Sequence, residues 1–382
     1  DGGSAPVGGT GGGVAVPRGE PIRLGSVGTT SGPIGGALAP GVRAAQAWAA
    51  WVNANGGIAG HPVELIVADD GGDPARHRSL VQQFVEDRGV VAFVHTTAAL
   101  SGQSAVSYLE GKRVPVIGSE GGSPWFLTSP MYFPQMPSDT RLAASFGNLM
   151  ASLGRPSGFT KVAVVSCAEA QGCASATDQA GFDQAGLEVV YRARASLAQP
   201  DYTAPCLAAK NEGAQMLFVA LDGQANQRLA DNCAAVDYRP LLVHSAQSTT
   251  PAELRRPSMD GAYVGQSTAP WFQTSIPAVA EYDRVLKTFA PSVVSDGSAI
   301  QGWVSARLLE AALRKASDPT TSAGILEGLY AIQGDDLGGL TYPVSFTAGA
   351  ANNAGVMPAC YWVVRVQRGA FVSPDGGQRH CP

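Results

Sequence analysis

The chain has 382 residues, of which 45% are hydrophobic and 15% charged, and its net charge is -5. That length exceeds one ordinary core and suits two domains. The acidic balance excludes a basic nucleic-acid surface and gives no reason to expect polyanions or acidic membranes as partners, and no apolar run reaches the length of a membrane span.

Of residues 1–20, the first thirteen are mostly Gly, with Ser, Ala and Pro. Such a stretch buries too little apolar surface to fold and reads as a flexible tether. No signal peptide remains ahead of it. A tether of this kind commonly follows a lipid-anchored cysteine, so an anchor on a cysteine outside this chain is expected, against the plainer reading of a disordered N-terminus. Ile22, Leu24 and Val27 then form a strand that ends in the glycine-rich stretch 28–33. Pro40 suits a first helical turn, after which Val42, Ala45, Trp48, Ala49 and Val52 recur at helical spacing. Asn55-Gly56-Gly57 ends that helix. Val63, Leu65 and Val67 alternate as a strand stopped at residues 69–72. Asp73-Pro74 is an N-cap and first-turn pair for a helix burying Leu80, Val81, Phe84 and Val85. A third strand over 90–94, a helix near 102–109 and a strand over 114–117 follow.

The pattern repeats after about residue 139. Strands are expected over 162–165, 187–191, 216–221, 241–243 and 262–264, with helices over 174–185, 206–211 and 227–235 between them. Two longer helices are expected near 278–289 and 298–316. Strands that alternate with helices and are apolar throughout point to parallel sheets covered on both faces. The fold class is therefore α/β, with two similarly built domains. Ligands in such sheets bind outside the carboxyl ends of the strands.

Six cysteines are present without any C-x-x-C pair, so neither a metal site nor a cofactor is expected. Pairing sequence neighbours gives Cys167–Cys173, Cys206–Cys233 and Cys360–Cys381. Disulfides persist in oxidising compartments, which favours an exported protein over a cytosolic one with six buried thiols.

One ordered set of residues is more specific. It comprises Ser31-Gly32-Pro33, the helix end Val52-Asn53-Ala54-Asn55-Gly56-Gly57-Ile58-Ala59-Gly60, the strand end Asp69-Asp70, and Asp73-Pro74. In these residues the chain resembles the periplasmic branched-chain amino-acid binding proteins, the type I solute receptors of ABC importers. The resemblance is best over residues 22–117 and keeps its order to about Phe346. It implies two Rossmann-like domains with parallel central sheets joined by a three-crossing hinge. The first lobe would take 21–138 and 268–343, and the second 139–267 and 344–382. It further implies an extracytoplasmic, monomeric receptor that captures a small organic molecule by hinge closure and delivers it to ABC permease subunits.

The resemblance also implies where a ligand would sit. The loop that binds a ligand carboxylate falls on Ala98, Ala99, Leu100 and Ser101, with Ala99 where the family has serine. The next loop falls on Glu120, Gly121 and Gly122, with Gly122 at the family's threonine position. The second domain's tyrosine position falls on Gln171, its second aromatic position on Asp222, and the acid that pairs the ligand ammonium near Ala246 or Gln247. The expected hydroxyls and acid are thus missing. Burying a zwitterion without partners costs several kcal/mol for each ion, so a standard branched-chain amino acid is not the expected ligand. Glu120 and Asp222 are the available acids, and a less charged molecule with an aliphatic or aromatic body fits better. Trp125, Phe126, Trp271 and Phe272 are candidates to pack on it. The plainer readings make Trp125 and Phe126 core and Ser101 a helix cap.

Two other functions share these features. A ligand-sensing receptor domain would have the same fold. A hydrolase using His95 or His244, each at a strand end near Ser119 or Ser245, lacks any G-x-S-x-G elbow, H-E-x-x-H pair, P-loop or dinucleotide fingerprint to support it.

Overall fold

The computed structural model describes residues 16–138, 140–349 and 357–382; most of the expected tether lies outside them. The chain opens with β1 (Ile22–Gly28), α1 (Gly32–Ala54), β2 (Val63–Asp69), α2 (Pro74–Glu86) and β3 (Ala92–Thr96). A 3-10 turn, Gly102–Ala105, leads into α3 (Val106–Lys112), followed by β4 (Val116–Ser119), α4 (Trp125–Thr128) and β5 (Tyr132–Phe133). Then come α5 (Thr140–Gly154), β6 (Lys161–Cys167), α6 (Gln171–Ser175), α7 (Gln179–Gln184), β7 (Glu188–Ala195), α8 (Thr203–Asn211) and β8 (Met216–Ala220). The remainder is α9 (Gly223–Ala235), β9 (Leu241–Ser245), β10 (Tyr263–Gln266), α10 (Pro277–Phe289), α11 (Gly297–Leu313), α12 (Ser322–Tyr330), β11 (Trp362–Gln367) and β12 (Ala370–Val372).

The strands form two sheets. The first is wholly parallel, in the order β2-β1-β3-β4-β5. The second runs β7-β6-β8-β9-β10, again parallel, and is extended by antiparallel β11 and β12. Relabelled from its own start, the second sheet repeats the strand order of the first. Each sheet therefore reverses its winding beside its first strand, between β1 and β3 and between β6 and β8. The crevice at such a reversal is where doubly wound sheets bind ligands. β6 shows why these strands read as continuous apolar runs: Val162 and Val164 enter one core, and Ala163 and Val165 another on the opposite face.

The chain passes between the two layers three times: between β5 and α5, between β10 and α10, and between α12 and β11. Helices α10–α12 thus return to cover the first sheet. The main contact is α11 on α1, where glycines let the backbones close: a Cβ on Gly302 would lie 1.9 Å from the Gly41 carbonyl oxygen. Trp48 Nε1 donates to Glu310 Oε2 across this contact at 2.9 Å.

Several boundaries differ from the sequence reading for identifiable reasons. α1 begins at Gly32, and Pro40 lies inside it rather than at its start. Gly35 in this added stretch is a packing site, since a Cβ there would meet the Thr30 backbone at 2.4 Å. β3, β4 and β9 run about two residues further than expected, because His95-Thr96, Gly118-Ser119 and His244-Ser245 continue the ladder to the crevice edge. The helix expected over 174–185 is two short ones; Asp178 caps the second by accepting from Ala180 N–H at 3.0 Å. The disulfides Cys167–Cys173, Cys206–Cys233 and Cys360–Cys381 join sequence neighbours.

Candidate functional site

The carboxyl ends of the two sheets enclose a cavity of about 110 Å³. The first sheet contributes Ala99 after β3 and Glu120 and Gly122 after β4, with Ala37 and Leu38 from α1. The second contributes Cys167, Ala170, Gly172 and Cys173 after β6, Leu221 and Asp222 after β8, and Ser245, Gln247 and Ser248 after β9. Leu142, Ala176, Leu197 and Ala220 complete the wall. The surface is mainly Ala, Leu, Gly and a disulfide, with two carboxylates set into it.

Across the cavity the two layers touch. A Cβ on Gly122 would lie 2.8 Å from Gly172 Cα, so the two backbones meet with no room for a side chain. Gln247 Nε2 donates to Gln301 Oε1 in α11 at 3.1 Å. A Cβ on Gly297, at the start of α11, would meet the Ala246 carbonyl oxygen at 2.3 Å. These contacts describe a closed arrangement of the two layers.

Glu120 is the most unusual group in the lining. It is 4% exposed. Its Oε1 accepts from Ser123 Oγ, while Oε2 is buried without a hydrogen-bond partner. Burial pushes its pKa up to about 7, and the charge of Asp70 adds to this; Ser123 and the backbone amides of Glu120 and Ala98 pull the other way. Asp222 is committed differently. Its Oδ1 accepts from Ala225 N–H at 2.8 Å and so caps α9.

Of the residues expected at the site, Ala99, Glu120, Gly122, Asp222 and Gln247 line this cavity together. Gln171 opens α6, between lining residues Ala170 and Gly172; its side chain lies outside the described residues. The others lie off the lining. The Ala98 carbonyl accepts from Ser101 and Gly102 N–H. Leu100 packs on the core of the second sheet. Ser101 Oγ donates to Asp70 Oδ2 at 2.7 Å instead of facing a ligand. Gly121 N–H is taken by Ser119 Oγ at 3.0 Å. Trp271 and Phe272 are not cavity walls: they pack edge-to-face on each other and contact Phe371 of β12. Trp125 and Phe126 are core, with Phe126 edge-on to Tyr132.

A buried hub stands behind the first-sheet loops. Asp70 Oδ1 accepts from Thr29 Oγ1 at 2.9 Å and Gly72 N–H at 2.7 Å, and Oδ2 pairs with His77 Nδ1 at 2.8 Å and Ser101 Oγ at 2.7 Å. Burial raises the Asp70 pKa, but these bonds outweigh it and hold the group below its ordinary value. The two strand-end histidines also lie off the lining. Buried His95 has Nδ1 3.0 Å from Ser305 Oγ of α11, and burial lowers its pKa to about 3. Burial pushes His244 down too, but Glu253, 2.9 Å from Nε2, more than reverses this and leaves its pKa raised.

Two doubly wound sheets of like order, crossed three times and closed over one cavity, define the type I periplasmic-binding fold. A family model described as periplasmic binding protein matches residues 21–370, and the chain belongs to that family. The solved structures it resembles include a fatty acid ABC transporter substrate-binding protein from Thermomonospora curvata, with TM-score 0.76, 19% identity, and 95% of this chain and 91% of that one covered. An ABC transporter solute-binding protein from R. palustris in complex with benzoate gives TM-score 0.72 at 16% identity, covering 94% and 98%. A possible leucine/isoleucine/valine-binding protein from Rhodopirellula baltica gives 0.78 at 16%, covering 95% and 98%. At these identities the likeness is one of fold. Among curated proteins no relative matches the chain.

Proposed function

We propose that the chain is the solute-binding component of an ABC importer, working outside the cytoplasm, and that it captures a small organic molecule without altering it. The observation that carries this reading is the cavity itself: it is mainly apolar, lies at the winding reversals of both sheets, and draws its walls from both layers. The first lobe would comprise 21–138 and 268–343, and the second 139–267 and 344–382. The ligand would bridge the lobes and favour the closed form through contacts available only there. Permease subunits would then read the closed shape. The three disulfides support an oxidising compartment, and a lipid anchor on a cysteine outside this chain would hold the receptor near its transporter.

The structural relatives include proteins whose titles name a fatty acid, benzoate, and leucine, isoleucine and valine. None transfers directly at under 20% identity. The cavity's own chemistry argues against a standard branched-chain amino acid, since Ala99 and Gly122 stand where the family resemblance expects hydroxyls.

The test is a thermal-shift screen of amino acids, amides, amines and aromatic acids, with native mass spectrometry of each hit. A ligand stabilises by mass action, so a true hit raises the midpoint with dose and is released chemically unchanged. A panel with no dose-dependent hit, or a hit released as a new compound, would refute the reading.

A further inference from the structure

Among the described residues the cavity lining carries two carboxylates, Glu120 and Asp222, and no Lys, Arg or His. The polar atom left over is Glu120 Oε2, buried and unpartnered. A buried acceptor without a partner is costly, and native structures rarely keep one except where a ligand or other function uses it. Three backbone amides of the neighbouring loops are already occupied. Ser101 and Gly102 N–H bond the Ala98 carbonyl, and Gly121 N–H bonds Ser119 Oγ. The site therefore offers negative charge and no cationic side chain among the described residues.

We propose that the ligand is an organic cation, an amine with an apolar body and no carboxylate of its own, whose ammonium group is held by Glu120 with Asp222 as the second negative charge. This rests on the receptor reading above and narrows it to a ligand class. An ammonium gives Oε2 the donor it lacks and neutralises a carboxylate that burial disfavours. A carboxylate ligand would instead meet two acids with no cation to offset them. A zwitterion would satisfy Glu120 only by burying a carboxylate with no cationic side chain to hold it. Ala37, Leu38 and Leu142 would take the apolar body.

The proposal also fixes a pH dependence. The titratable groups around Glu120 are Asp70, whose charge raises it, and Asp222 in the same lining. Ser123 and the amides of Glu120 and Ala98 are its neutral neighbours. An amine that stays protonated binds the carboxylate form. Its affinity should therefore rise about tenfold per pH unit up to about 7 and be flat above.

The experiment compares isopentylamine, isovaleramide, isovalerate and leucine by calorimetry on the full chain between pH 5 and 9, in wild type and Glu120→Gln. These four share one branched skeleton and differ in charge. The expected result is that isopentylamine binds at least about tenfold more tightly than the other three. Glu120→Gln should lose about 30-fold or more in its affinity and abolish the pH slope. The wild-type pH profile stands on its own if the variant fails to fold. Tighter binding of isovalerate, leucine or the amide would overturn the ligand class while leaving the receptor reading in place. So would unchanged amine affinity and slope in Glu120→Gln, or a broad screen that finds only non-amine guests. Absence of any guest, in the set and in the broad screen alike, would overturn both.

Discussion

Asp70 and Glu120 are buried carboxylates at the edge of the same sheet, close enough for the charge of one to bear on the other, and they have been treated in opposite ways. Asp70 is fully buried, yet two hydroxyls, a backbone amide and an imidazole surround its oxygens. Glu120 is almost as buried but keeps an oxygen with nothing bound to it. The pKa of the first falls and that of the second rises. Burial raises both, and the hydrogen bonds that saturate Asp70 outweigh it there while those on Glu120 do not. A satisfied carboxylate holds loops together. An unsatisfied one on a cavity wall is available to a guest.

The comparison breaks most visibly at Asp70. Asp70→Ala would strand Thr29, His77 and Ser101 together, and should cost about 3–5 kcal/mol, from several buried groups each losing a hydrogen-bond partner at about 1–3 kcal/mol. Urea denaturation at neutral pH measures it. Asp70→Asn separates charge from shape and should lose less. The pH dependence follows from the lowered pKa: the stabilisation is present above the ordinary value of 3.8 and is lost as pH falls through the folded value. Wild type should thus lose more stability on acidification than Asp70→Asn does. Equal acid profiles in the two proteins would remove Asp70 from its role as a charged hub.

Glu120 has the opposite sign. Its folded pKa of about 7 exceeds its ordinary 4.5, so the folded state binds the extra proton and wild-type stability falls as pH rises between those values. The accumulated loss is about 3 kcal/mol above pH 7, an order-of-magnitude figure from about 1.4 kcal/mol per unit. Glu120→Gln should therefore be more stable than wild type at pH 8 and little different at pH 4. A gain in stability with a loss of ligand affinity is the pattern expected where a site is built at the expense of the fold.

Closure itself can be tested at Gly172. A methyl group on Gly172 would lie 3.1 Å from Gly122 Cα, so the closed layers would have to part by a few tenths of an ångström to take it. Gly172→Ala should keep the unfolding midpoint of the ligand-free protein within a few °C while weakening ligand binding by about tenfold, or about 1.4 kcal/mol. Small-angle scattering should show the variant remaining extended when ligand is added. Full compaction would mean that the lobes close without this contact.

How much of this was visible in the chain depends on the range of the contact. The strand and helix order was legible because it rests on local period: β1, β2 and the helices after them follow directly from residues two or four apart. The start of α1 was not. Gly35 lies ahead of the Pro40 turn and looks like a loop residue until Thr30 is placed against it, and with that error Ala37 and Leu38 were lost from the cavity. The polar ends of β3, β4 and β9 were cut short because polar residues read as strand stops, although at a sheet's carboxyl edge they are where a crevice begins. Glu120 and Asp222 could be found from their places after strands. The saturation of Asp70 could not, since its partners come from β1's loop, α2 and the loop after β3. Trp271 and Phe272 were misplaced for the same reason: their partner, Phe371, lies about a hundred residues away.

The smallest effect is the most discriminating, because Asp222 does two things at once. Its Oδ1 caps α9, and its charge faces the cavity lining. Asparagine caps a helix about as well as aspartate, whereas alanine does not cap and costs about 1 kcal/mol. Asp222→Asn should therefore unfold with the wild-type midpoint, and Asp222→Ala should be less stable by about that amount. If the charge serves the ligand, both variants should lose the same three- to tenfold in isopentylamine affinity, about 1 kcal/mol for a partly exposed ion pair, despite their different stabilities. If Asp222→Asn binds the amine as wild type does and only Asp222→Ala is impaired, Asp222 is a cap that happens to border the cavity. Glu120 would then be left as the sole anionic contact.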